Sequence, residues 1–171
     1  MIKIYIDFDE VILDTWDIIL REYCLKYKTK EIEQKKIKEV MFNIGWKNIL
    51  KRSNEINNSI QNIKKLQRKH KVYIITKFNS LEEREEKRQY LNKKGINNLV
   101  FVPYTKSKAE IVNPYKSLLV DDNIQNLIEW SKRGGTAILF NKDLCNTDSY
   151  GNKNIGFLVI DNLLDICDII E

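Results

Sequence analysis

KIYIDFDEVILDT, residues 3–15, decides how the rest of the chain is read. An apolar, β-branched run ends in Asp7 and Asp9, two carboxylates separated only by Phe8. Carboxylates crowded at a strand end repel one another, and burial penalises their ionised forms. A stable fold therefore needs something there to offset the charge. Residues two apart on an extended strand face the same side, so this spacing aims both side chains at one point.

Working outward, four more short apolar runs follow: KVYIIT at 71–76, LVFVP at 99–103, SLLVDD at 117–122 and TAILF at 136–140. LEEREEKRQYLNKKG, KAEIVN and NIQNLIEWSKRGG lie between them. Apolar strands alternating with helical patterns predict an α/β fold, a doubly wound, Rossmann-like parallel sheet covered on both faces. Gly95, and Gly134 or Gly135, fall where left-handed helix C-caps are expected. The interval before KVYIIT is too long for one crossover helix and carries helical spacing: Ile18, Ile19, Tyr23, Leu25 and Tyr27, then Ile32, Ile37, Val40, Met41 and Phe42. Residues 15–53 are read as a small helical cap, and residues 1–14 and 54–171 as the core, with SIQNIKKLQRKH as the returning crossover. NKDLCNTDSYGNKNIGFLVIDNLLDICDIIE, at the end, reads as a polar loop, a short edge strand and a closing helix without chemistry of its own.

Composition narrows the chemistry. A chain of 171 residues, 43% hydrophobic and 31% charged, suits one well-cored domain, and no apolar run reaches the length of a membrane span. The start, MIKIYIDFDE, lacks the features of a secretory signal, so a cytoplasmic location is expected. Cys24, Cys145 and Cys167 are odd in number and far apart, which fits neither a disulfide framework nor a zinc site. His70 is the only histidine, which excludes a histidine-rich metal site. The net charge of +5 comes from basic residues mixed with acids, read as solvated helix faces. No aromatic-interleaved basic groove appears, so neither a nucleic acid nor a membrane is an expected partner.

In a doubly wound sheet, ligands bind outside the carboxyl ends of the strands. Strand one ends in Asp7 and Asp9, strand two in Thr76, strand four in Asp121 and Asp122, and Lys108 lies in the connection before strand four. Singly, each has a bland role: turn acids, a β-branched strand residue, a helix cap at Asp122, a solvated lysine. Together, the topology gathers four carboxylates, a lysine and a hydroxyl at one edge. An oxygen-only donor set without histidine or thiolate suits Mg2+, which retains waters and accepts a phosphate oxygen.

These four elements, IYIDFDEV, the strand ending in Thr76, the upstream Lys108 and LLVDD, resemble in order the four motifs of the haloacid dehalogenase superfamily of phosphotransferases. DFDEVILDTW, the short helical insertion and the chain length resemble more narrowly the small 5'(3')-deoxyribonucleotidase-like branch. The resemblance implies a magnesium-dependent phosphomonoester hydrolase whose Asp7 is the nucleophile that becomes an aspartyl-phosphate, and whose Asp9 is the general acid and base. It implies a metal held by Asp7, Asp9 through its carbonyl, Asp121 and Asp122, leaving open which of the last two touches the ion. Thr76, Lys108 and backbone amides from Lys77 to Asn79 would bind phosphate. Trp16, Phe42 and Trp46 would either wall a base or sugar or bury the insertion's own small core. Glu10 departs from the branch, where glycine is common.

Other readings remain. A receiver domain carries its lysine after the acids, whereas Lys108 precedes the final pair, and the glycines form neither a P-loop nor a dinucleotide fingerprint. A phosphatase of sugar phosphates or other small metabolites, and a catalytically silent binding or regulatory domain on the same fold, are the alternatives. The expected partner is a small phosphomonoester, and the oligomeric state is open.

Overall fold

The computed structural model describes residues 2–144 and 156–170. Its centre is a six-stranded, wholly parallel sheet in the order β3-β2-β1-β4-β5-β6. The strands are β1 (Lys3–Ile6), β2 (Lys71–Phe78), β3 (Leu99–Pro103), β4 (Ser117–Asp121), β5 (Thr136–Phe140) and β6 (Leu158–Ile160). The expected doubly wound architecture is therefore present. β1 lies between β2 and β4, with Ile4 opposite Val72 on one side and Leu118 on the other. The strand order reverses there, which opens a crevice at the carboxyl end of β1.

Strand pleating sorts side chains to two faces. Ile4 and Ile6 join Val72, Ile74, Leu118 and Val120 in one buried cluster, while Tyr5 joins Ile75, Leu119, Leu127 and Trp130 in another. Helices α6 (Lys108–Ile111) and α7 (Ile124–Lys132) contribute to the second cluster. Helices α4 (Ser59–Gln67) and α5 (Leu81–Lys93) contribute to the first. With both faces covered, β4 is buried along its full length.

Three helices occupy the interval after β1: α1 (Thr15–Tyr27), α2 (Gln34–Ile44) and α3 (Trp46–Arg52), and α4 is the expected returning crossover. Their inward side chains, including Ile19, Tyr23, Ile37, Val40, Trp46 and Ile49, continue the same buried cluster as β1. The Tyr23 hydroxyl donates to Glu31 O at 2.8 Å and accepts from Glu33 N at 3.1 Å, fastening α1 to the approach of α2. Leu25 and Ile32 are exposed, contrary to the helical stripe drawn from sequence. The inward face of α1 runs through Ile19 and Tyr23, four residues apart, and Ile32 precedes the first residue of α2.

The chain closes as expected with β6, a 3-10 turn at Leu163–Asp165 and α8 (Ile166–Ile170). Cys145 and much of the expected polar loop lie outside the described residues. Cys24 and Cys167 are free thiols. His70 stands before β2, at the end of the sheet opposite the crevice. Among the described residues no helix is long and apolar enough to cross a membrane.

Gly134 takes the left-handed cap position with φ of 80°. Gly135 has a different constraint, because a Cβ there would lie 2.3 Å from the Trp130 ring and 2.9 Å from Pro114 O. Gly135→Ala should therefore lower stability by about 1–3 kcal/mol through overpacking. Urea denaturation checks this, and an unchanged midpoint would contradict the close approach.

Candidate active site

The β1–β4 ladder extends one residue past β1 through the bond from Asp7 N to Val120 O at 2.9 Å, which fixes the Asp7 backbone. The chain then turns sharply. Ile12 N bonds Phe8 O at 2.9 Å, Glu10 N bonds Leu13 O at 2.8 Å, and Glu10 adopts the left-handed region with φ of 59°. Glycine would take that conformation without steric cost. Here Glu10 accepts it while its carboxylate accepts from Trp16 N at 2.8 Å and pairs with Lys142 at 2.6 Å. Lys142 also pairs with Asp17 at 2.8 Å. Glu10 thus caps the first turn of α1, where Asp14 makes no side-chain cap.

Lys108 is placed by α6. Ser107 and Glu110 form a reciprocal capping box around it, and its buried side chain reaches Asp7 Oδ1 at 2.6 Å and Asp121 Oδ2 at 2.7 Å. The Asp121 Oδ1 atom accepts from Asn123 N at 2.9 Å and Asn126 Nδ2 at 3.1 Å. Asn123, not Asp122, supplies the side-chain cap of α7. That leaves the Asp122 carboxylate beside Asp7 and Asp121, with one oxygen of each lying within 4.8 Å of the others.

The electrostatics follow from this crowding. Burial pushes Asp7 up to about 7; Lys108 pulls against that rise, and Asp121 and Asp9 add to it. Asp122 keeps an exposed face, yet partial desolvation of its carboxylate pushes it up to about 8, reinforced by Asp7 and Asp121. Burial works against the charge on Lys108, but Asp121 and Asp7 outweigh it and hold the ammonium above its ordinary range. Three carboxylates thus share one lysine. An all-oxygen set with surplus negative charge fits a hard divalent cation, so these residues pass the chemical test for Mg2+.

Asp9 is held separately. Its Oδ1 accepts from Thr15 Oγ1 at 2.7 Å, and its Oδ2 pairs with Lys87 at 2.6 Å. Lys87, on α5, is fully buried and also contacts Glu83 Oε1 at 2.7 Å, Thr76 Oγ1 at 3.2 Å and Lys77 O at 3.2 Å. Its ammonium stands 4.6 Å from the centroid of the Trp46 ring. Desolvation disfavours its charge, yet Asp9 and Glu83 raise its pKa.

A cleft of about 220 Å³ joins these groups. Asp7, Asp9, Lys77, Lys108 and Asp122 line it together with Trp16 and Trp46. Asp121 lies behind them at 0% exposure. Two expected residues are elsewhere. The Thr76 hydroxyl is buried against Lys87 and Lys77 O, so it is a partner of the lysine and not part of the cleft wall. Phe42, 82% exposed, lines an adjoining groove of about 450 Å³ that shares Trp46 and Asn79 with the cleft. The Asn79 amide, expected among the phosphate donors, is committed to Glu83 Oε2 at 2.8 Å. Lys87 and Glu83 were missed because LEEREEKRQYLNKKG reads as a solvated helix. Leu91 marks its buried face, and stepping back by four reaches Lys87 and then Glu83.

The family model for haloacid dehalogenase-like hydrolases matches residues 4–131, which span β1 through α7. The chain belongs to this family. Among solved structures, this haloacid dehalogenase-like hydrolase is similar to a haloacid dehalogenase-like family hydrolase from Streptococcus pneumoniae, with TM-score 0.67, 10% identity, and coverage of 100% of this chain and 99% of the other. A putative beta-phosphoglucomutase from Thermotoga maritima aligns with TM-score 0.68 at 14% identity over 100% of both chains. D,D-heptose 1,7-bisphosphate phosphatase from Burkholderia thailandensis aligns with TM-score 0.59 at 13% identity, covering 100% of this chain and 99% of that one. At such identities these likenesses establish the fold. No curated protein matches the sequence.

Proposed function

We propose that this hydrolase is a magnesium-dependent phosphomonoesterase of the 5'(3')-deoxyribonucleotidase-like kind, acting through an aspartyl-phosphate on Asp7. The observation that carries the reading is the gathering of Asp7, Asp121 and Asp122 carboxylate oxygens within 4.8 Å, with Lys108 bound to the first two. Residues 15–53 act in this reading as a cap over the cleft.

Lys108 engages Asp7 Oδ1, which leaves Oδ2 as the attacking oxygen. A new Oδ2–P bond forms as the ester O–P bond breaks, and Asp9 gives its proton to the departing oxygen. Asp9 then takes a proton from the water that cleaves the Asp7–phosphoryl bond. Lys108, with Lys77 on the cleft wall, balances charge on the phosphoryl oxygens. Asp7, Asp121, Asp122 and the Asp9 carbonyl would hold Mg2+, which would supply further neutralisation of phosphoryl charge.

The adjoining groove, with Phe42, Met41, Lys38 and Trp46, offers an apolar and aromatic wall next to the phosphate cleft, which supports a nucleoside as leaving group. The second reading, a sugar or small-metabolite phosphate, draws on the two sugar-phosphate enzymes among the structural neighbours. A panel of phosphomonoesters with Mg2+ separates them: preference for deoxynucleotides is expected, and preference for sugar phosphates supports the second. Turnover no higher than in an Asp7→Asn control would instead indicate a silent domain. Chelation with EDTA should lower turnover at least about a hundredfold, and Mg2+ should restore it. Activity indifferent to chelation contradicts the metal assignment.

A further inference from the structure

Lys87, buried behind the cleft and bonded to Asp9, is a cation that the phosphoryl-transfer scheme leaves unused. It is fully buried, and four oxygen contacts converge on its ammonium: Asp9 Oδ2, Glu83 Oε1, Thr76 Oγ1 and Lys77 O, all within 3.2 Å. The cage is itself anchored. Glu83 Oε2 accepts from Asn79 N at 2.8 Å, and Ser80 Oγ accepts from Glu83 N at the start of α5. Trp46, whose backbone N–H donates to Glu82 Oε1 at 3.0 Å, covers the ammonium with its ring from α3. A buried ammonium is stable only when such partners surround it, because a buried charge left unpaired is strongly destabilising.

We propose that Lys87 is a positioning residue for Asp9, fixing which carboxylate oxygen faces the leaving group; this rests on the phosphomonoesterase reading above. An ammonium donates hydrogen bonds and accepts none, so Oδ2 is committed as an acceptor. Thr15, on the other side, is a hydroxyl that can donate or accept. Oδ1 is therefore the oxygen that carries the proton to the ester. In that step the Asp7 Oδ2–P bond forms, the P–O(ester) bond breaks with its electron pair going to the departing oxygen, and the Asp9 Oδ1 proton ends on that oxygen. Glu83 neutralises the lysine charge left over, and Thr76 acts through Lys87.

The assignment predicts a dependence on the leaving group. Phenyl phosphate releases an oxygen as basic as that of tyrosine, with pKa about 10, and needs the proton; p-nitrophenyl phosphate releases a far weaker base and needs it little. With the full chain and Mg2+, Lys87→Met should lower the ratio of kcat/KM for phenyl phosphate to that for p-nitrophenyl phosphate by at least about thirtyfold. The double variant Lys87→Met/Glu83→Gln, which also removes the second buried charge, should show the same selective loss if the single variant folds poorly. Asp9→Asn serves as reference and should show the selectivity most strongly. Equal losses on both esters in the folded Lys87 variants, alongside selective loss in Asp9→Asn, overturn the role of Lys87 alone. Absence of selectivity in Asp9→Asn overturns the acid–base reading of Asp9, and this inference with it.

Discussion

Asp7→Asn is expected to abolish turnover while leaving the fold intact, with kcat falling by about 10⁴-fold or more. Asparagine keeps an acceptor for Lys108 and keeps the ladder bond to Val120, so the backbone of the site is retained. It removes the proposed nucleophile and one of three crowded carboxylates. The stability change has a definite sign in chelator-treated protein. Burial raises Asp7 from 3.8 to about 7, so the folded state holds a proton that the unfolded chain has already lost across that interval. Stability contributed by protonated Asp7 is present at low pH and lost as pH rises towards 7. Asp7→Asn should thus be more stable than the parent at pH 8, with the advantage shrinking as pH falls from about 7 to about 4 and levelling off below that. Thermal unfolding across that range, with kcat measured alongside, checks both parts. An advantage that grows at low pH would contradict the charge crowding, and retained turnover would contradict the role of Asp7.

Lys108→Met is the second large effect, and it differs in kind because it should damage both folding and catalysis. Lys108 joins two buried carboxylates, and methionine of similar length leaves Asp7 and Asp121 facing each other without it. Removing one partner from a buried ionic cluster costs about 3–5 kcal/mol. Activity should fall a further hundredfold to thousandfold beyond any unfolded fraction, the size typical of one lost charge-stabilising contact. Urea titration followed by kcat on the folded fraction separates the two losses. A variant with near-parental stability would mean that the carboxylates do not depend on this lysine.

The parts of the fold legible in sequence were those written in local pattern. Runs such as KVYIIT and SLLVDD are buried on both faces and bounded by turn residues, so their period and flanks gave strand positions within a residue or two. Asp7, Asp9, Lys108, Asp121 and Asp122 were legible because topology alone brings strand ends to one edge. What sequence could not give was the partner of each side chain. Thr76 was expected to end β2, but the strand runs two residues further, to Phe78, and the Thr76 hydroxyl turns to Lys87, a choice made by α5 packing and invisible in KVYIIT. Lys87 itself sits in a segment dense with charge, where one buried lysine looks like its solvated neighbours. Phe42 matched the helical spacing of α2, but the inward face is set by Ile37 and Val40, and Phe42 falls on the exposed side. The left-handed conformation of Glu10 was not legible in its residue type, and its pairing with Lys142 depends on a loop far along the chain.

The central claim is that Asp7 forms a covalent bond to phosphorus. Rapid acid quenching during turnover of p-nitrophenyl phosphate with Mg2+, followed by peptide mapping by mass spectrometry, tests it directly. The account predicts a phosphoryl group on the Asp7 side chain, absent when Mg2+ is chelated and absent in Asp7→Asn. Rapid turnover with an unmodified Asp7, or a phosphoryl group carried by another residue, would contradict it.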